Sequence, residues 1–410
     1  MKYVFSNKIA NLKPSAIREI LKAPATPDTI SFAAGNPAPE SFPVEDMARL
    51  SADIYEHDSI AALQYGVTDG YEPLRNIISN RQKDKYNIGR SVALGDRFDD
   101  ATMIVSGGQQ GIELACKVFC NEGDAIICEN PTFIGALNAF RSNGVTPVGV
   151  TLEGDGMNIE ELERAILENS NAKLIYVIPN FQNPSGICTS HEKRKSIYSL
   201  AKKYGLLIIE DDPYGELRFA GEHIPTIKSM DDEGIVIYVS TFSKILSAGM
   251  RVGYVIAPES VISKMVVSKQ TSDVHTNLFF QILCYKYMTE CDMDSHIEEI
   301  RDIYRHKCNL MLDALSKELP DGIKFTYPEG GLFVWCTLPD NINATEFIKE
   351  ATERQVRVVP GITFNCDTEM PSQCFRLNYS TPTDKQILEG VKILGELARE
   401  LGILRFEESY

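Results

Sequence analysis

From about Thr102 onward, short apolar runs alternate with amphipathic stretches, and that rhythm sets the expected architecture. Residues 103–105, AIIC at 125–128, VTPVGV at 145–150, KLIYVI at 173–178, LLIIE at 206–210 and GIVIYVS at 234–240 are short, rich in β-branched residues and almost free of charge, which predicts buried strands. Between them, stretches such as IELACKVFC at 112–120 read as helices. Asn158 with Glu161 and Thr189 with Glu192 have capping-box spacing, and Gly144 and Gly205 stand where C-terminal caps belong. Strands apolar on both faces, alternating with helices, predict an α/β fold whose mostly parallel sheet is covered by helices on both faces.

The flanks follow another pattern. Pro14 and Ser15 are expected to open a short helix with Ile17, Ile20 and Leu21 on one side. Residues 30–43 are too rich in Gly and Pro for regular structure. They read as a connector or as a loop packed on a site, where Gly35 would let backbone approach a ligand. LQYGVTDGYEPLR at 63–75 places Tyr65 before a Gly-punctuated turn and a helix start. After GYVIAP at 253–258 the alternation stops. A long helix is expected from Ser295, with Glu298 three residues on and Ile297, Ile300, Ile303, Tyr304, Met311 and Leu312 in one stripe. The later runs GLFVWCTLP, VRVVPG and CFRLNYS predict strands of a smaller α+β unit. The expected division is a large domain over 46–294 and a small one from 1–45 with 295–410.

Composition narrows the function classes. The chain has 410 residues with 43% hydrophobic and 24% charged, an ordinary globular balance able to bury a large core. A formal charge of −16 argues against a general nucleic-acid or anionic-membrane surface. No apolar run has the length of a signal peptide or a membrane span, so a cytoplasmic location is the default expectation. The ten cysteines lack a Cys-x-x-Cys pair and mostly sit in apolar runs, as small core residues of a reducing compartment do. None of the six histidines stands at metal-site spacing, so no metal is expected, and His275 reads as structural.

Candidate chemistry gathers at the ends of the predicted strands. STFSKILSAGMR at 240–251 follows GIVIYVS, so Lys244 falls just past a strand's carboxyl end, where open α/β sheets bind ligands. Partial desolvation there disfavours an ammonium and frees the amine to form a Schiff base. Thr241 and Ser243 add hydroxyls, Gly249 a flexible joint, and Arg251 a forked cation suited to phosphate. Taken alone, a loop lysine is usually solvated surface. The reading gains weight from distant segments. SGGQQG at 106–111 sits between a strand and a helix start, where Gly108 and Gln109 would point donors at a phosphate, although a Gly pair there is often only a tight turn. Phe133 in ENPTF either stacks on a flat ring or belongs to the core. Asn183 in NPSG offers an amide. EDDPYGEL at 210–217 puts acids at a strand end, costly unless a cation is near or the loop is solvated. Asp211 is the choice to pair with a pyridinium, with Tyr214 close behind. Arg376, mid-strand in CFRLNYS, suits a bidentate grip on a carboxylate.

The order SGGQQG, NPSG, EDDPYG and TFSK followed by Gly-x-Arg resembles the fold-type I, class I/II pyridoxal-phosphate-dependent aminotransferases. Within them the chain is most similar to the kynurenine/α-aminoadipate and aromatic aminotransferase group and the catalytic-like domains of MocR-type regulators. The likeness covers almost the whole chain. It implies that Lys244 carries the cofactor as a Schiff base, Asp211 keeps the pyridine nitrogen protonated, Asn183 and Tyr214 bond the phenolate oxygen, and Phe133 covers the ring. It further implies a phosphate site of Gly108, Gln109, Thr241, Ser243 and Arg251, with Tyr65 from the other subunit of a homodimer. Arg376 would take the substrate α-carboxylate, with Gly35 and Asn183 nearby. Phe133 stands where many relatives have tyrosine, and Gly108 where a serine is frequent; either departure could alter cofactor affinity or substrate choice.

The activity expected from this resemblance is transfer of an amino group from an α-amino acid to a 2-oxo acid by a ping-pong cycle, with broad aromatic, aminoadipate-like or aliphatic specificity. The alternatives are a β-lyase or decarboxylase using the same cofactor, and a non-catalytic sensor domain. The sensor reading ranks low because about fifty residues precede the large domain, few for a winged helix.

Overall fold

The apolar runs between residues 100 and 258 assemble into one sheet. A computed structural model of the chain describes residues 3–10, 12, 14, 16–22, 26 and 28–403. After a two-residue strand β1 (Ile30–Ser31) come β2 (Asp100–Val105), β3 (Ala125–Asn130), β4 (Thr146–Glu153) and β5 (Gly156–Met157). They are followed by β6 (Ala172–Val177), β7 (Leu207–Asp211), β8 (Val236–Thr241) and β9 (Gly253–Pro258). The sheet order is β2-β9-β8-β7-β6-β3-β4-β5. The stretch from β8 to β4 is parallel throughout. Strand β9 runs antiparallel between β2 and β8, and β5 pairs antiparallel with β4 at the far edge.

Successive residues feed opposite faces, as strand geometry requires. Cys128, Leu174, Tyr176, Ile209 and Ile237 enter the main core, while Ile127, Ile175, Ile208 and Val236 enter a second one under Leu162, Ile166, Ile197 and Ala201. Helices therefore cover both faces, as the unbroken apolar strands predicted. The Gly108–Phe119 helix rides close to the sheet because Gly111 has no side chain. A Cβ there would stand 2.9 Å from Val239 and Val255 methyls.

The C-terminal part supplies β10 (Lys324–Phe325), β11 (Phe333–Thr337), β12 (Val356–Arg357), β13 (Val359–Pro360) and β14 (Cys374–Asn378). An antiparallel sheet runs β10-β11-β14-β13, and β1 pairs in parallel with β12. The N-terminal segment is thus built into the C-terminal part. The long helix Met293–Glu318 and the final helix Asp384–Glu400 pack together there.

Local starts differ from expectation in three places. The long helix begins at Met293, two residues before Ser295, because Asp292 accepts the Ser295 N–H at 3.0 Å and caps it. Ser190, not Thr189, caps the His191–Tyr204 helix. Thr189 is drawn into the core, with its N–H on the Pro179 carbonyl. Asn158 does cap its helix, but Glu161 turns to accept the Thr151 N–H, leaving the box half formed. The first helix is Ala16–Lys22; Ser15, expected to open it, lies outside the described residues.

Gly253 is where β9 meets the turn after β2. A Cβ there would fall 2.8 Å from the Ser240 carbonyl oxygen and 2.9 Å from the backbone of Gly107 and Gly108. Backbone on every side leaves no side chain to yield. Gly253→Ala is expected to lower stability by roughly 1–3 kcal/mol, read as a drop in the urea midpoint; an unchanged midpoint would contradict this packing.

Candidate active site

Because β2, β3, β6, β7 and β8 all point the same way, their carboxyl ends share one edge of the sheet, and each runs into a loop carrying a polar group. Three cations meet there. Lys244 is partly buried, and its Nζ donates to the Gly35 carbonyl at 2.6 Å. Arg376 on β14 is fully enclosed. It donates to Asn183 Oδ1 at 2.9 Å and the Ala33 carbonyl at 2.8 Å, and lies 4.1 Å from the Phe333 ring centre and 5.1 Å from that of Phe364. Arg376 Nε is buried with no hydrogen-bond partner. Arg251 adopts a left-handed backbone (φ 54°) and donates to Ser243 Oγ at 3.2 Å and to the Ser106 carbonyl at 3.1 Å. The hydrogen bonds of all three go to neutral oxygens.

Unneutralised positive charge sets the electrostatics. Burial, then the charges of Arg376 and Arg251, pull the Lys244 amine down to about 8. Burial likewise lowers the Arg376 guanidinium to about 10, leaving it charged at neutral pH. The acids at 210–212 are all buried, so the solvated-loop alternative is excluded. Asp211 sits at the end of β7, and burial raises its carboxyl to about 7 despite a 2.7 Å hydrogen bond from the Tyr176 hydroxyl. Burial also raises the Tyr214 phenol, with the nearby Asn183 amide pulling it the other way.

The phosphate-type loop is local and tight. The Gly108–Phe119 helix begins at Gly108, so the N–H groups of Gly108 and Gln109 have no carbonyl a turn earlier. Gly108 Cα faces Asp211 Oδ1 and Thr241 Cβ, each 3.9 Å from where a Cβ would stand. The Thr241 hydroxyl donates to Ser243 Oγ at 2.8 Å, which fixes both beside Arg251. The Gln109 side chain, in contrast, is spent on the Gly135 carbonyl at 2.8 Å, which leaves its backbone N–H as the group at the helix start. Phe133 is partly buried at the start of the Ile134–Ser142 helix, and its ring tip and Gln109 Oε1 both lie against Gly135.

Tyr65 is the expected site residue that the single chain leaves apart. It is 81% exposed and touches the His275 ring edge-on. Two residues that sequence reasoning passed over belong with the site: Tyr176, which orients Asp211, and Phe333, which carries Arg376 on its face. A tyrosine in the aliphatic run KLIYVI was the available signal, since a buried phenol needs a partner.

Residues 27–394 match the model of the family described as aminotransferase class I and II. An aromatic-amino-acid aminotransferase of Thermococcus litoralis is 40% identical, the match covering 97% of this chain and 94% of the relative. A kynurenine aminotransferase from Pyrococcus horikoshii, solved with PMP, superposes with a TM-score of 0.91 at 38% identity over 97% of both chains. An alpha-aminoadipate aminotransferase from Thermus thermophilus, complexed with N-(5'-phosphopyridoxyl)-L-leucine, gives 0.85 at 34% over 97% of both. The chain belongs to the class I and II aminotransferases, fold-type I enzymes that transfer amino groups with pyridoxal phosphate.

Proposed function

We propose that this transaminase takes aromatic, 2-aminoadipate-like and aliphatic amino acids, with 2-oxo acids as acceptors, at the site built on Lys244. The observation that carries the assignment is a fully buried Arg376 and a partly buried Lys244, with Arg251 at the exposed rim, all three bonded only to neutral oxygens and set beside a buried acid. That donor set fits pyridoxal phosphate: cations and helix-start N–H groups suit its phosphate, and a carboxyl kept at about 7 by burial suits a ring cation. When bound, the cofactor supplies a carbonyl that condenses with amines and a ring that accepts the α-carbon's electron pair.

The residues divide the work as follows. Lys244 would hold the cofactor, and its amine, once free, would take the proton from the substrate Cα and deliver it to the carbon that was the cofactor's carbonyl; an amine near 8 suits both taking and giving. Asp211, oriented by Tyr176, holds a proton on the ring nitrogen. Asn183 gives its oxygen to Arg376, which leaves its NH2 beside Tyr214 to donate to the ring oxygen. Phe133 covers the ring. Gly108, Gln109, Thr241, Ser243 and Arg251 hold the phosphate, and Tyr65 completes it from a second copy. Arg376 grips the substrate carboxylate near Gly35. Beside it, Trp335, Phe364, Val359 and Ala33 form an apolar cluster with Ile17 and Ile20, which favours apolar substrate side chains.

The homodimer reading is supported by exposed apolar side chains around Tyr65, namely Ile60, Leu63 and Val67. The division into 46–294 against 1–45 with 295–410 is part of the same proposal, supported by the pairing of β1 with β12. No described helix is long and apolar enough to cross a membrane, and a cytoplasmic location is proposed with the rest.

Adding single amino acids to the holoenzyme without an oxo acid should convert the cofactor's absorption to that of its amine form, with release of the matching 2-oxo acid. Pyruvate with ammonia, or carbon dioxide, as the products would overturn transamination in favour of β-elimination or decarboxylation. Lys244→Ala should lose at least roughly a hundredfold in turnover; near-normal turnover would sink its role.

Asp211 gives a pH signature in the cofactor-free protein. Its carboxyl ordinarily titrates at 3.8 and in the fold at about 7, so between those values the folded chain holds a proton that the unfolded chain has released. Stability contributed by that proton is present at low pH and is lost as pH rises through this window. Asp211→Asn removes the cost of the buried carboxylate, so its stability gain over wild type in urea should be larger at pH 7 than at pH 5. An equal gain at both would contradict the assignment.

A further inference from the structure

Two thiols from distant parts of the chain lie side by side next to this site. Cys128 is buried in β3 of the large sheet, and Cys366 follows the short turn Gly361–Phe364 of the C-terminal part. Their sulfurs are 3.3 Å apart. Bonds that do not involve sulfur hold the two segments together. The Cys366 N–H donates to Asn130 Oδ1 at 2.9 Å, the Thr132 N–H to the Phe364 carbonyl at 2.9 Å, and Arg141 to the Cys366 carbonyl at 2.7 Å. Gly149 makes the room: a Cβ there would come within 3.1 Å of Cys366 Sγ. The hydrogen bond with Cys366, and then burial, keep the Cys128 thiol protonated. Cys366 is partly exposed, so a small oxidant can reach its sulfur.

We propose that Cys128 and Cys366 form a reversible disulfide that pins the 361–366 segment to the end of β3, with a low-molecular-weight disulfide as oxidant. The Cys366 thiolate attacks one sulfur of the oxidant, forming a mixed disulfide and expelling one small thiolate. Cys128 then gives up its proton and attacks the Cys366 sulfur, expelling the second. The two protein thiols lose two electrons, and the oxidant leaves as two thiols. The sulfurs need to close from 3.3 Å to about 2.0 Å. The bridge bears on the site because each anchor borders a site residue. Phe364, two residues before Cys366, lies against Arg376, and Phe133 lies three residues beyond Asn130. Pinning both holds the arginine's aromatic support still, and turnover slows. This consequence, though not the bridge, rests on the carboxylate role proposed for Arg376.

The test oxidises the full-length holoenzyme with glutathione disulfide and maps cysteine-linked peptides by non-reducing proteolysis and mass spectrometry, with turnover followed in parallel. The expected result is a Cys128–Cys366 cross-link two hydrogens lighter than the separate peptides, with a severalfold loss of turnover, both reversed by dithiothreitol. Cys366→Ser should abolish both effects, and Cys120→Ser, whose thiol neighbours Cys116 one helical turn away, should retain both. Oxidation of other cysteines without this cross-link, or a Cys366 that stops at the mixed disulfide, overturns the proposal. Equal inactivation of Cys366→Ser overturns it as well, and a linked enzyme with full turnover overturns the coupling to Arg376. Turnover of the reduced enzyme, read in the same assay, keeps the transaminase reading separate.

Discussion

Keeping positive charge out of water without an acid to neutralise it is the constraint that orders this molecule. Moving a cation from water into protein costs several kcal/mol even after relaxation. Here the cost for the two enclosed cations is met by backbone carbonyls, Gly35 for Lys244 and Ala33 for Arg376, while Arg251 at the exposed rim is held by the Ser106 carbonyl. Each carbonyl comes from a different place in the fold than its cation. The N-terminal segment, the β2 turn, β8 and β14 are therefore fixed relative to one another by the same few polar contacts. A sheet whose strands point one way makes this possible, since it delivers several loop starts to one edge.

The same arrangement explains why the N-terminal segment belongs to the C-terminal part. Residues 30–31 pair with β12, and residues 33–35 then turn their carbonyls toward Arg376 and Lys244. Residue 36 closes the run by accepting the Ser380 hydroxyl at 2.6 Å. With the roles proposed for Arg376 and Lys244, substrate carboxylate and cofactor would compete with these carbonyls for the two cations, which would link binding to the position of this segment. Phe333, beneath Arg376, offers a surface that does not change as the hydrogen bonds are exchanged.

The strands and the residues at their ends were legible because both signals are local. GIVIYVS runs directly into Lys244, and LLIIE directly into Asp211, so an apolar run followed by a charged group reveals both the strand and its site. Arg376 stood out for the same reason, a charge inside a short apolar strand. Partners that come from elsewhere were not legible. Tyr176 meets Asp211 across two neighbouring parallel strands, and Phe333 meets Arg376 across an antiparallel pair. Side-chain amides are as elusive: Gln109 has the right backbone but sends its amide to Gly135. Adjacent candidates also defeat local rules. Thr189 and Ser190 both suit a cap, and core packing around Thr189 decides between them.

The central claim is that one amine, at the end of β8, meets the cofactor. Reduction of the holoenzyme with borohydride, followed by proteolysis and mass spectrometry, locates the covalently fixed pyridoxyl group. The account predicts a single labelled peptide with the group on Lys244. Label on another lysine, or spread over several, would contradict it.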